Sequence, residues 1–368
     1  MSTRARFCLM CLAALELAAC AVSLRPPAAE SPWTFPLIEE GRLVCEGEIV
    51  GSFEKAEGGL VLFATRAGRV YAVDGAKRAV RWEFAAGAPV DLAPVAAGER
   101  VLVVDRSGRV YGLDGEGRAA WEAEPRGAAA MPPLALSGLG VFCFDGKKVV
   151  ALDLDKGTER WALTVPAAVV SSLVPWKGRI VFGTEEGKIQ VVSVEGKVLE
   201  SREAGGVLDG AAFAAGDILI SSLEDNSIAG WNLPSLKRRW STRLGGIFAG
   251  LPAFDGRRFF AVLSNHVLFC LSARTGTTLW WNALPGRGLY PPALAGNHVF
   301  AATPTDELVA FPLLGGSRAT AYKAPREVHA GAAWLAPFLW VAFFEPEAGR
   351  TTILCLRSPI PPEKEKTP

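Results

Sequence analysis

The side chains best suited to chemistry in this sequence are three histidines, four cysteines beyond residue 20 and a set of regularly spaced aspartates. A zinc or other metal centre draws on His and Cys ligands, often from closely spaced pairs. His266, His298 and His329 form no such pair, standing about thirty residues apart. Two of them fall in short polar turns, Ser264-Asn-His266 and Gly296-Asn-His298, where a solvated imidazole is expected. Glu224-Asp-Asn226 has neither the alternating spacing nor the later carboxylate of a calcium loop and reads as a polar hairpin tip. Asp74, Asp114 and Asp153 are candidate acid or base groups, but each follows a short apolar run at the same place in a recurring phrase. Asx-turn hydrogen bonding accounts for an aspartate there. The sequence contains no G-x-S-x-G elbow, no H-E-x-x-H pair and no P-loop. The expectation is a non-enzymatic protein without catalytic, cofactor-binding or metal-binding residues.

What positions these residues is a repeat. Trp82, Trp121, Trp161, Trp240 and Trp280 close copies of one phrase, clearest at Ala151-Leu-Asp153-Leu-Asp-Lys-Gly157-Thr-Glu-Arg-Trp161. The third residue of the phrase recurs at Asp74, Asp114, Asp153, Ser193, Asn232, Ser272, Pro312 and Arg357, in steps of 39 or 40 residues with a last step of 45. Each copy has two short β-branched or aromatic runs separated by a Gly-containing polar turn, a hairpin signature. A Trp-bearing strand and a looser strand near Pro94, Pro133, Pro252 or Pro292 bring the unit to four strands. Four-stranded units of about forty residues are β-propeller blades. The predicted fold is therefore all-β: an eight-bladed propeller of four-stranded antiparallel blades over residues 42–358.

The eighth copy ends before its fourth strand, whereas residues 42–46 supply an unpaired strand with Leu43 in the place of Trp82. An N-terminal strand is thus expected to complete the last blade. Within each blade the indoles are expected to lie against the next blade, while Gly157 and Gly276 permit the turn before the fourth strand. Cys45 and Cys355 fall on the two strands paired at the closure, about two residues out of register. Either a closure-locking disulfide or two free buried thiols fits that placement.

Lys plus Arg number 39 and Asp plus Glu 38, a net charge of +1 with no basic run, which disfavours nucleic acid as a partner. Arg4 and Arg6 precede a short apolar stretch ending in Leu17-Ala-Ala-Cys20, the form of a secretory signal. Two processing routes fit: a lipoprotein signal over 1–19 with Cys20 lipidated, or ordinary cleavage after Ala21. Residues 20–41, rich in Ala, Pro and Ser as far as Pro36, read as a tether, and 359–368 as a disordered tail.

The phrase A-x-D-x-x-T-G-x-x-x-W, recurring at forty-residue steps, resembles the PQQ-like β-propeller repeat over essentially the whole chain after the signal. One branch of that superfamily comprises quinone-dependent dehydrogenases with a disulfide between adjacent cysteines, and this chain has no adjacent cysteine pair. The other is the BamB-like lipid-anchored propeller of the β-barrel assembly machine. That resemblance implies an outer-membrane anchor facing the periplasm and a protein partner from barrel assembly. The branch's Leu- and Arg-bearing recognition loop has no counterpart in 165–178. Apolar residues beside turns are the candidate partner contacts: Leu173, Trp176, Ile247, Phe248, Leu289 and Tyr290. The alternative for several of them is the start of an inner strand. A polysaccharide or small ligand in the central channel, or a quinone-dependent dehydrogenase activity, are the competing functional readings.

Overall fold

A computed structural model describes residues 33–124 and 126–359. Cys20, the signal segment and residues 360–368 lie outside the described residues. The described chain forms eight four-stranded sheets, seven of them built from four consecutive antiparallel strands. We number them blades 1 to 7, at 49–85, 95–123, 134–164, 174–203, 208–243, 253–283 and 293–323. Blade 8 joins Ala333–Leu335, Phe338–Glu345 and Arg350–Arg357 to the N-terminal strand Ile38–Glu46. Counted from the phrase residues Asp74 and Arg357, the place of Trp82, opposite Ala72, falls in blade 8 to Gly41, opposite Cys355, and not to the expected Leu43, which pairs with Ile353 two residues further along the strand. The first strands of successive blades approach one another around the ring, and the fourth strands lie outermost. In blade 4 the outermost strand, Val198–Glu203, is exposed along its whole length.

Two consequences of strand geometry explain the core. Second and third strands are buried on both faces, since side chains alternate and each face meets another blade. Lys148–Asp153, for example, buries all four of its central residues. The buried apolar residues accordingly form eight separate clusters, one at each junction between neighbouring blades. The third and fourth strands are offset by a bulge, in blade 3 between Ala151 and Leu152, which re-aims the tryptophan beside it.

The ordered ring begins earlier than the tether reading of 20–41 allows. Trp33 and Leu37 are buried at the junction of blades 7 and 8, and the Leu37 amide donates to Ala321 O at 2.7 Å. Trp33 packs edge-on against Phe300 and Trp334, at ring-centroid distances of 5.0 and 5.2 Å. Blade 7 has lost its tryptophan at the phrase position, and Trp33 supplies an indole to the same junction from the other end of the chain. Composition around Trp33 suggests a linker because Pro, Ala and Ser dominate; one aromatic residue with a partner surface outweighs them.

Candidate interaction surfaces

The five phrase tryptophans act between blades. Each indole Nε1 donates to a backbone carbonyl 33 residues further on: Gly115, Leu154, Val194, Ala273 and Leu313, at 2.6–3.1 Å. Each indole also lies on a glycine of the next blade, in the order Gly117, Gly157, Gly196, Gly276 and Gly315. A Cβ on Gly157 would stand 2.4 Å from Trp121, and one on Gly276 2.2 Å from Trp240. Gly157 and Gly276 do take positive φ, 67° and 68°. Positive φ alone does not require glycine here, for Arg78 and Leu236 hold the equivalent turn position at φ 55° and 50°. Those two turns follow blades 8 and 4, which present Gly41 and Glu200 in place of the tryptophan. The glycine is therefore needed where an indole must be seated, and a larger residue serves where none arrives.

Where the phrase lapses, other aromatic groups fill the junction. Between blades 4 and 5, fully buried Trp231 donates to Ala204 O at 3.0 Å, and Trp176 donates to Asp217 Oδ1 at 2.9 Å. Lys177 also pairs with Asp217 at 2.7 Å, and these two donors, Lys177 first, hold the Asp217 carboxyl below the usual carboxylate range. Between blades 8 and 1, the Arg78 guanidinium lies 4.9 Å from the centre of the Phe338 ring.

The residues considered for chemistry are occupied structurally. Asp74, Asp114 and Asp153 each accept two backbone amides of their own turn through Oδ1. His298 opens a strand and is buried, contrary to the solvated-turn expectation; its ring meets Phe35 edge-on at 5.1 Å and its Nδ1 has no partner. Burial holds its pKa below the usual imidazole value. Cys45 lies opposite Thr351 and Cys355 opposite Gly41, so they are four positions out of register. Both are free thiols, as are Cys143 and Cys270, and burial pushes all four up to about 12. The disulfide reading of Cys45 and Cys355 fails because disulfide bonding needs Cα atoms within about 7 Å, roughly two strand residues. Among the described residues no three His, Cys, Asp or Glu groups converge as a metal site.

The antiparallel order gives the ring two unlike faces. One, the connecting face, carries the links between blades and the second-to-third hairpins; the other, the turn face, carries the remaining turns. On the connecting face of blades 1 and 2, Arg66 and Arg106 converge on Asp91, with Glu48 also held by Arg66. The bond from Arg106 holds the Asp91 carboxyl below its usual range.

Of the candidate contact residues, three belong to the core. Leu173 packs between blades 3 and 4, Trp176 between 4 and 5, and Phe248 between 5 and 6. The segment around Leu173 is pinned: Ser171 Oγ accepts the Gly183 amide, and the Ser172 amide donates to Gly210 O on blade 5. Ile247 is half-buried, as is Tyr290, whose hydroxyl donates to Val328 O at 3.3 Å. Leu289 remains available, 44% exposed, and Leu251 joins it on the loop leading into blade 6, at 54%. The sequence reading passed over Trp281, 61% exposed on the outermost strand of blade 6. Its signal is the Trp280-Trp281 pair, since strand alternation turns one indole inward and the other outward.

A ring closed by its own N-terminal strand, with indoles seated across its blade junctions, defines a class: the eight-bladed antiparallel β-propeller. Within that class the chain belongs to the family described as outer membrane protein assembly factor BamB, whose sequence profile matches residues 30–242 and 224–325. Among solved structures it is similar to BamB from Moraxella catarrhalis, with a TM-score of 0.69 and 15% identity over 87% of this chain and 99% of that one. It is also similar to the computationally designed protein Ika8, with a TM-score of 0.66 and 14% identity over 84% of this chain and 97% of that one. At such identities these structures establish the fold alone. No curated protein matches the sequence.

Proposed function

We propose that the chain is a non-enzymatic scaffold, anchored to the outer membrane through a lipidated Cys20 and facing the periplasm, that binds a protein component of β-barrel assembly. The observation that carries this reading is membership of the BamB family over nearly the whole ring. The chemistry-bearing side chains support it, because the described thiols are buried and the phrase aspartates serve their own turns. The partner-binding surface in this reading is the connecting face of blades 6 and 7, where Leu251 and Leu289 project beside Ile247 and Tyr290. A rigid ring keeps such residues in place without ordering cost on binding. The test is an affinity pull-down of the detergent-solubilised full chain, with mass spectrometry of both the co-eluting proteins and the N-terminus. An outer-membrane barrel-assembly protein recovered with acylated Cys20, and lost from a Leu251→Glu/Leu289→Glu variant, is the expected result. An unacylated chain that elutes alone overturns the proposal.

A further inference from the structure

The near-neutral net charge conceals a segregation. Residues 227–305 hold eight Lys and Arg against one acidic residue, a balance of +7 in a chain of +1, leaving −6 on the rest. This stretch covers the outer half of blade 5, all of blade 6 and the start of blade 7. On its turn face a cleft of about 380 Å³ opens between blades 5 and 6, with Arg239, Arg257 and Arg274 along it. Ala215, Ile218, Phe254 and Ala273 form its apolar wall.

The two carboxylates beside this cleft are already committed. Asp217 pairs with Lys177 at 2.7 Å, and Asp255 pairs with Arg258 at 2.8 Å. Among the described residues Arg257 and Arg274 make no ion pair, and Arg239 donates only to Asn232 Oδ1 at 3.2 Å. Asn232 stands at the phrase position that is aspartate in blades 1 to 3, so the usual turn carboxylate is missing here as well. Arginines on blades 1 and 2 have nearby acidic partners, as in Arg106 with Asp91 and Arg118 with Asp114. Three guanidiniums facing one concavity whose lining carboxylate, Asp217, is already paired with Lys177 repel each other and favour an anionic occupant.

We infer that the turn-face cleft between blades 5 and 6 binds an acidic, extended protein segment, its carboxylates taken by Arg239, Arg257 and Arg274. Planar guanidinium forks match carboxylates bidentately, and the apolar wall takes the intervening side chains. A concave site set between blades suits a single chain better than a flat lipid surface. The assignment rests on the scaffold reading for the kind of ligand, and it names a face opposite to the Leu251 and Leu289 surface.

The experiment uses the full chain in detergent and a fluorescein-labelled deca-glutamate peptide, followed by anisotropy at low and high salt. Arg257→Glu/Arg274→Glu is compared with Arg243→Glu/Arg287→Glu, which changes the net charge equally on the same blades but outside the cleft. All four positions carry exposed side chains, and thermal melts check that both variants fold. The expected result is salt-sensitive binding whose Kd rises at least tenfold in the cleft variant and less than threefold in the other. Equal losses in both variants, or absence of binding, overturn the inference. So does binding to phosphatidylglycerol vesicles, lost in the cleft variant, without binding to the peptide. Purified components keep this test separate from the pull-down, so either proposal fails without deciding the other.

Discussion

Replacing Gly157 by alanine separates the two reasons a glycine can stand in this turn. The backbone there has φ 67°, and alanine in the left-handed region costs about 1–2 kcal/mol. The new Cβ would also lie 2.4 Å from Cε3 of Trp121, so the indole or the turn must move. Overpacking of that kind costs about 1–3 kcal/mol. A displaced indole also weakens its bond to Leu154 O, now 2.7 Å, with a net loss of about 0.5–1.5 kcal/mol. The total is about 3–6 kcal/mol. Gly138 supplies the control: its φ is 78°, and a Cβ there meets nothing within 4 Å. Gly138→Ala should therefore cost only the backbone strain, about 1–2 kcal/mol. Urea unfolding followed by tryptophan fluorescence measures both, and a common m-value makes the midpoints comparable. Equal midpoint shifts would refute the seat argument and return the glycine to a turn requirement alone.

Trp33→Ala should destabilise the ring by about 3–5 kcal/mol, as for other large aromatic side chains cut from a core, whereas a tether residue would leave the melting temperature unchanged. The His298 pKa is held below 6.5 in the fold, so the unfolded chain takes up the proton first as pH falls. Stability from this residue is complete above pH about 6.5 and declines below it; melts from pH 8 to 5 should slope less steeply in His298→Leu, and identical slopes would count against the buried-imidazole account. Cys45, Cys143, Cys270 and Cys355 should resist maleimide at pH 8 in the folded chain and all label in urea without reductant. A pair that labels only after reduction would restore the closure disulfide.

Much of the architecture was legible because it rests on local, repeated chemistry. The forty-residue period, the Gly-containing hairpins and the Asx turns at Asp74, Asp114 and Asp153 involve residues near one another in sequence. Closure by residues 42–46 was legible too, since a blade short of a strand and a strand short of a blade must meet. Burial beside the turns was not. Leu173, Trp176 and Phe248 have the composition of exposed anchors, and only the neighbouring blade makes them core. Trp33 looked like part of a linker because its partners, Phe300 and Trp334, lie about 270 and 300 residues away in sequence.

The sequence by itself determined the number of blades, the strand order within each and the place where the ring closes. All three follow from backbone pairing and turn chemistry that each forty-residue unit carries in itself. The tertiary structure alone decided which glycines seat an indole, which apolar residues remain exposed and where uncompensated arginines converge. Those outcomes depend on contacts between one blade and the next. A residue's own segment specifies its strand; the facing blade specifies whether its side chain is buried, paired or left free for a partner.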